Sequence, residues 1–509
     1  MSSETTPLLS SQNRDGASKA HVATYPPAHD GGYRTLVLLF DGTGDTDDDD
    51  ISNVIALRNM LHPLDDPEQQ LVFYQPGIGT YNLYFPGTKK DVPLVGSVSR
   101  TFDKAIAWSL EYHVIEGYEW IMKNYREGDK ICMFGFSRGA YTARAVGAMV
   151  NKVGLLPLAH KDKVWDAFYS FERKGNDTWM HSEAFRKENE CKSIDIEFIG
   201  VWDTVNSVGA IRAKALPYTA SNSSVRSFRH AVSLDEHRAR FRSNMWNPPS
   251  TDPKKQPRVV TDVDQVWFSG GHCDVGGGSV PNGTRPNLSH IALRWMVREC
   301  FKTKNGMMFD LAEIAAIGIA PDSLYPVVKS RPAATECTPD LRVSTKNILK
   351  PGVFSRTSSW VTSWFKSPKP AAQDYSIYAT YSEEQLDLVD TLAPIYDQLV
   401  INRAKWWVLE IAWLQMWSVV KRKFEYRQNW GRGRTILPPV NAALIDAVTA
   451  VAKGQVPLNP RWAKVRVHRT VKARMACPGD GKTPQYVPNA LLNGLTLDKV
   501  DPKLIEWVD

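Results

Sequence analysis

Two kinds of hydrophobic run alternate along most of the chain. Short aliphatic runs stop abruptly at polar loops: "TLVLLF" before Asp41-Gly42, "QLVFY" before a glycine loop, "KICMFGF" before Ser137, "IEFIGVW" before Asp203 and "VDQVWFSGG" before His272. Runs of this length without polar alternation predict strands buried on both faces of a parallel sheet. Between them lie stretches with apolar residues at helical spacing. In "FDKAIAWSLEYHVIEGYEWIMKNYREGD", Ala105, Trp108, Tyr112 and Ile115 recur at that spacing, and Gly-Asp ends the run. "NVIALRNML" and the small-residue stretch "AYTARAVGAMV" also read as helices. Alternating strand and helix predicts an α/β fold, a mostly parallel sheet with flanking helices. Loops at the carboxyl ends of such strands build the site, so the polar residues that end these runs are the first candidates.

The same patterning divides the chain into four regions. Residues 1–32, rich in Ser, Thr, Pro and Gly, are predicted to be a disordered tail. Within it "ETTPLL" resembles an acidic dileucine sorting signal, a pattern also frequent by chance. Residues 33–330 carry the α/β rhythm. Residues 331–374 are rich in Pro, Ser and Thr and read as a loop or linker, with "SSWVTSWF" as a candidate lid. Residues 375–509 are expected to be a mainly helical extension packed on the α/β domain. There "AKWWVLEIAWLQMWSVVKRKFEY" puts Trp406, Leu409, Trp413, Trp417 and Val420 on one helical stripe, closed by Lys421, Arg422 and Lys423. Such a stripe either packs on its own domain or lies at a membrane interface, with Trp406, Trp413 and Trp417 as the contacts. Its apolar core is too short to span a bilayer.

Composition narrows the picture only a little. The net charge of +7 is spread over 62 basic and 55 acidic residues, a mild bias that gives no argument for a nucleic-acid partner. Six cysteines at scattered spacings predict neither a disulfide framework nor a metal motif, and point to a reducing compartment. The N-terminal residues lack the apolar core of a signal peptide, and no uninterrupted apolar stretch spans a membrane. The expected location is cytoplasmic, with peripheral contact to an intracellular membrane as the membrane option.

The pentapeptide Gly135–Gly139, "GFSRG", is where chemistry enters. A strand-like run precedes it and a small-residue helix follows it, the strand–turn–helix setting that pushes a serine into a strained, exposed position. Side chains at Gly135 and Gly139 would collide across so sharp a turn. The bland alternative is a tight turn with no chemistry. A serine hydroxyl needs a base and an orienting carboxylate, expected in the chain order Ser, Asp, His, each after a strand. Asp203 and His272 meet both conditions. His230 and His237 fall in "SFRHAVSLDEHRARF", which reads as helix and loop and suits surface or structural roles; His290 sits where a helix begins, and His468 is far away in the C-terminal part. The helix N-terminus adds a partial positive charge where an oxyanion would form. Oxyanion donors are expected from the N–H of Arg138 and from the Gly42–Thr43 loop. Asp41 either serves the same site or binds that loop's own N–H groups. The acidic residues Asp45, Asp47 and Asp48 are weak candidates for a divalent cation, or simply a solvated loop.

"LFDGTGD", "GFSRGAYTARAVGAM", "GVWDTVNSVG", "RHAVSLDEHRARFRSNMW" and "FSGGHCDVGGG" occur in this order. Together they resemble an uncharacterised α/β-hydrolase domain family of fungi and bacteria that includes the phospholipase effectors of bacterial type VI secretion. The resemblance runs roughly from Tyr33 to Cys300. It implies an α/β-hydrolase catalytic domain with Ser137, Asp203 and His272 as the triad, no required cofactor, and a phospholipid or other acyl ester as substrate. The bacterial effectors act on phospholipids, whereas fungal members mostly have no assigned substrate. Cys273 inside the histidine loop departs from the family pattern and is read as packing. Asp274 is expected to brace the glycine loop, and Asp235 and Glu236 to be structural. Two rival classes remain: a metal-dependent phosphohydrolase built on the Asp41 loop, and a catalytically silent scaffold that binds a partner through the Trp-rich segment.

Overall fold

The aliphatic runs line up side by side as a single large sheet. A computed structural model describes residues 23–27, 32–42, 50–77, 98–173, 175, 178–205, 216–247, 261–336, 381–418, 421, 423–437, 460–477 and 485–509. Its first strands are β1 (Thr24–Tyr25), β2 (Thr35–Phe40), β3 (Asp65–Asp66), β4 (Gln70–Gln75), β5 (Lys130–Phe136), β6 (Ile196–Trp202), β7 (Val225–Ser233), β8 (Asp262–Phe268) and β9 (Phe309–Asp310). The C-terminal strands are β10 (Leu414–Ser418), β11 (Lys423–Arg427), β12 (Thr435–Ile436), β13 (Val465–His468), β14 (Leu491–Leu492), β15 (Leu495–Thr496) and β16 (Ile505–Val508). Nine of these form one sheet in the order β16-β13-β8-β7-β6-β5-β2-β4-β3. All its pairings are parallel except that of β3 with β4.

Helices α1 (Asn53–Asn59), α2 (Val98–Asn124), α3 (Ser137–Val153), α4 (Val164–Glu172), α5 (Thr178–Glu188), α6 (His272–Gly276), α7 (Ser289–Lys302) and α8 (Leu311–Ala316) accompany the strands. Alternate residues of one strand enter opposite cores. Leu36, Leu38 and Phe40 of β2 join Ile131 and Met133 of β5 against α2 and α3. Val37 and Leu39 join Cys132 and Phe134 against α1 and α7. With both faces covered, each side chain gains roughly 1.5–3 kcal/mol from burial, and no polar alternation survives in the sequence. The chain passes from β2 to β4 on one side and then to β5 on the other. That reversal opens a crevice at the carboxyl ends of β2 and β5, the place where open α/β sheets bind ligands.

Several sequence expectations change here. The tail expected to be disordered through residue 32 contains β1, which pairs antiparallel with β9 while Tyr25 stacks on Tyr325 at 5.0 Å. The segment "SFRHAVS", expected to be helix and loop, is the interior strand β7, paired on both sides by β6 and β8. Its Arg229 is buried against Glu299 and Asp262. The C-terminal region, expected to be mainly helical, is mixed. It holds helices Glu383–Thr391, Gln398–Ile401, Arg403–Ile411 and Arg469–Ala476, and it supplies β13 and β16 to the main sheet. The tryptophan stripe is broken after Ile411, where β10 and β11 form an antiparallel hairpin with Trp417 opposite Phe424. Aromatic and aliphatic residues suit a pleated surface, and cross-strand pairing outweighs a helical period that fits by coincidence. The candidate lid "SSWVTSWF" lies outside the described residues. Buried ion pairs tie the C-terminal region to α7: Arg294 bonds Asp387 and Asp390, and Arg298 bonds Glu383. Cys132, Cys191, Cys273 and Cys300 are free thiols, as the absence of a disulfide framework in the spacings leads one to expect, whereas Cys477 is disulfide-bonded.

Candidate active site

Ser137 sits where β5 turns into α3, with φ of 57°, in the left-handed region that costs a serine strain. The turn is sharp enough that a Cβ on Gly135 would lie 2.5 Å from the Gly139 carbonyl carbon. One on Gly139 would lie 2.1 Å from the Phe40 carbonyl oxygen. Glycine at both positions lets α3 start against the end of β2, and the strained backbone turns Ser137 Oγ toward the crevice. Asp203, directly after β6, also has a positive φ, 41°. His272 opens the short helix α6 after β8. Gly276, at the other end of α6, passes so close to the Phe136 ring that a Cβ would lie 1.9 Å from it.

These three side chains meet. Ser137 Oγ lies 2.8 Å from His272 Nε2, and His272 Nδ1 lies 2.6 Å from Asp203 Oδ2. Asp203 is fully buried, and Ser137 and His272 are 7% and 4% exposed. The rings of Phe136 and Phe241 flank the imidazole at 4.6 and 4.8 Å. Burial pushes the imidazole below its ordinary pKa, against the upward pull of Asp203; Arg238 adds to the downward push. Burial alone would push the Asp203 carboxyl up, but Arg434 and the hydrogen bonds from His272 and Arg434 hold it well below the usual carboxylate range. In this geometry Ser137 can pass a proton to His272 Nε2 while Nδ1–H stays bonded to an ionised carboxylate.

The neighbouring candidates fall in different places. Asp41 Oδ1 accepts from Gly42 N–H at 2.7 Å and from Ser52 Oγ at 2.6 Å, and Oδ2 accepts from Tyr74 at 2.9 Å. Asp41 is thus a brace of its own loop. The Gly42 amide, expected as an oxyanion donor, is committed to that carboxylate instead, because a buried charge takes the nearest N–H. Thr43, Asp45, Asp47 and Asp48 lie outside the described residues. Among the described residues no group of three or more His, Cys, Asp or Glu side chains could hold a metal ion. The Arg138 N–H lies in the first turn of α3, next to Ser137. Asp274 accepts from Gly271 N–H at 2.8 Å, Ser279 Oγ at 3.0 Å and Tyr396 N–H at 3.1 Å, bracing the loop that carries His272.

Asp235 and Glu236, expected to be structural, brace the site together with residues that the sequence did not single out. Glu236 accepts from His272 N–H at 3.3 Å and pairs with Arg238. Asp235 accepts from Gly270 N–H at 2.7 Å, from the Tyr486 hydroxyl at 2.6 Å and from Asn489 N–H at 3.0 Å. Arg434 Nη2 lies 2.8 Å from Asp203 Oδ2, and its Nη1 bonds Oδ1. Nothing local in "NWGRGRTIL" signals that partner, 231 residues away in sequence. Trp406 takes the first of its two expected places, packed on its own domain: it lies edge-on against Phe241 at 5.6 Å, with the Arg238 guanidinium 4.7 Å from its ring centre. It therefore stands behind the site. Trp413 is 69% exposed, and Trp417 is placed only as a strand residue. The remaining histidines bond elsewhere: His230 Nε2 accepts from Thr204 N–H, His237 pairs with Asp397, His290 lies near Asp390, and His468 caps Arg469–Ala476.

A family model described as the T6SS phospholipase effector Tle1-like catalytic domain matches residues 34–299. An uncharacterised protein of Saccharomyces cerevisiae is 33% identical over 239 residues, covering 45% of this chain and 35% of that protein. The chain therefore spans about a third of that relative's length. Among solved structures, an uncharacterized protein from Pseudomonas aeruginosa aligns with a TM-score of 0.32 and 20% identity, over 54% of this chain and 46% of that one. The Tle1 effector bound to the VgrG spike of the type 6 secretion system aligns with a TM-score of 0.29 and 18% identity, over 51% and 53%.

Proposed function

The chain belongs to the T6SS phospholipase effector Tle1-like catalytic-domain family, and on that premise we propose that it is a serine hydrolase cleaving a carboxylic ester of a phospholipid or another lipid. The observation that carries the reading is the hydrogen-bonded chain from Ser137 through His272 to Asp203, at 2.8 and 2.6 Å. Ser137 Oγ attacks the ester carbonyl and His272 Nε2 takes its proton. The tetrahedral oxyanion is held by the Arg138 N–H and the positive end of α3. Collapse expels the alcohol, which receives the proton from His272, and leaves an acyl group on Ser137. Water, deprotonated by His272, then adds to the acyl carbonyl; collapse breaks the bond to Ser137 Oγ, which takes the proton back from His272 as the acid leaves. Asp203 holds the imidazole in the tautomer whose Nε2 is free to accept. No cofactor enters these steps.

A lipid substrate requires contact with an interface. Val408, Ile411, Trp413, Tyr426 and Trp430 are all exposed around the β10–β11 hairpin and the helix before it, which supports peripheral membrane contact there. Ser137→Ala and His272→Ala should cut hydrolysis of phospholipid vesicles and of p-nitrophenyl butyrate by roughly a thousandfold or more, and Ser137→Ala should abolish fluorophosphonate labelling. Near-normal turnover by folded Ser137→Ala would overturn the reading. Such turnover combined with loss of activity on adding a chelator would favour the metal-dependent phosphohydrolase.

A further inference from the structure

Arg434 lies outside residues 34–299, in a segment without a catalytic signature, yet its guanidinium spans both oxygens of Asp203. It is 1% exposed and preorganised. Its Nε and Nη2 donate to the Phe241 carbonyl at 3.0 and 2.6 Å, its Nη1 donates to the Ser233 carbonyl at 3.1 Å, and its own carbonyl accepts from Leu491 N–H at 2.8 Å. Gly433 before it passes so close to Asn489 that a Cβ would lie 1.9 Å from the Asn489 carbonyl oxygen. The chain is therefore threaded tightly to deliver this one side chain.

We propose that Arg434 is a positioning residue of the hydrolytic site, holding Asp203 ionised and oriented toward His272 and setting how readily the Asp203–His272 pair takes up a proton. This rests on the triad reading above. With Arg434 present, Asp203, Arg434 and neutral His272 sum to zero charge at rest. Without it, a buried carboxylate stands alone beside the imidazole. The pair then binds a proton more tightly, whichever of its two groups carries it, and the base is blocked at higher pH.

The other charged groups facing His272 do not substitute for this cation. Arg238 and Glu236, on the loop after β7, neutralise each other through a bidentate pair. On α6 itself, Asp274 is tied up by two backbone N–H groups and Ser279. Asp235 is bonded to Gly270, Tyr486 and Asn489. His230, across Thr204 from Asp203, is pushed down to about 3 by burial and Arg144, and stays neutral in the working range.

The test is the pH dependence of kcat/KM for p-nitrophenyl butyrate with wild type, Arg434→Gln, Arg434→Lys and Ser137→Ala. In Arg434→Gln, kcat should fall about ten- to a hundredfold with KM within about twofold. Its acidic limb should move up by about one pH unit, because a cation two hydrogen bonds from the base is gone. Arg434→Lys keeps the charge and loses the fork, so it should keep the wild-type limb with a partly recovered kcat. A merely structural arginine predicts activity that tracks the folded fraction with an unmoved limb, and that result overturns the proposal. Where the Gln variant does not fold, the Lys variant decides: a kcat lowered per folded molecule with a retained limb supports the proposal, and a kcat that merely tracks the folded fraction, or an upward-shifted limb, overturns it. Turnover by Ser137→Ala would overturn the hydrolase reading and this proposal with it. An inactive Ser137→Ala beside an unmoved limb in Arg434→Gln overturns the proposal alone.

Discussion

Replacing Asp203 with asparagine preserves the shape of the side chain and removes its charge. The consequences can be worked from the four donors around it. One oxygen faces Ser233 N–H at 2.9 Å and Arg434 Nη1; the other faces His272 Nδ1 at 2.6 Å and Arg434 Nη2 at 2.8 Å. An amide has one acceptor end and one donor end. Turning its NH2 toward Ser233 sets two donors against a backbone N–H that cannot move, so the NH2 must face His272. It then donates to Nδ1 and forces the proton onto Nε2, the tautomer that cannot accept from Ser137. Activity should fall roughly ten-thousandfold while the fold persists.

The substitution also leaves the Arg434 guanidinium buried without its counter-charge, which costs roughly 3 kcal/mol or more. The sign with pH follows from the depressed carboxyl. Its stabilisation is complete above the unfolded Asp pKa, about 3.9, and is lost as pH falls through the lower folded value. The stability gap between wild type and Asp203→Asn should therefore be full at neutral pH and narrow in strong acid. Ester hydrolysis and urea unfolding measured across pH check both arms. An Asn variant within tenfold of wild-type activity, or equally stable at neutral pH, would refute the reasoning.

Two further outcomes follow from the packing. Gly139→Ala places a methyl 2.1 Å from the Phe40 carbonyl and 2.4 Å from that of Asp41, so it should destabilise the protein by about 3 kcal/mol in urea titration; wild-type stability would mean the turn is looser than described. Although burial pushes His237 down, its bond to Asp397 outweighs this and raises it. That stabilisation is complete below the unfolded His value of about 6.5 and fades as pH rises through the higher folded value, so Asp397→Asn should flatten the pH dependence of stability there. Parallel stability profiles for the two proteins would contradict it.

What could be read from the sequence was local. Ser137 and Asp203 follow directly on an aliphatic run and His272 follows one after three residues, so strand pattern and chemistry lie within a few residues of each other. Strand β7 was hidden because Arg229 and His230 look like surface residues until Glu299, Asp262 and Thr204 are brought to them. The β10–β11 hairpin was hidden because apolar residues spaced three or four apart, Trp406, Leu409, Trp413, Trp417 and Val420, satisfy a helical period regardless of what they pair with. Arg434 was hidden for a different reason: its partner is set by the crossing of two distant segments, and no periodicity encodes that. Asp41 was legible as polar and conspicuous, but which N–H groups it would take depended on where Ser52 and Tyr74 arrived.

The joining of β13 and β16 to the far edge of the sheet bears on how the protein is made. Strands β2, β5, β6 and β8, which carry the site, emerge from the ribosome well before residue 434 and before the strands that pair beyond β8. Parallel pairings of such long sequence separation close slowly, and N-terminal parts of a large chain collapse first. During synthesis Asp203 thus waits in a partly formed core without its cation, and β8 waits with an open edge. If Arg434 is needed for the proposed turnover, a site assembled in this order stays silent on the nascent chain and switches on only when the C-terminal segments dock.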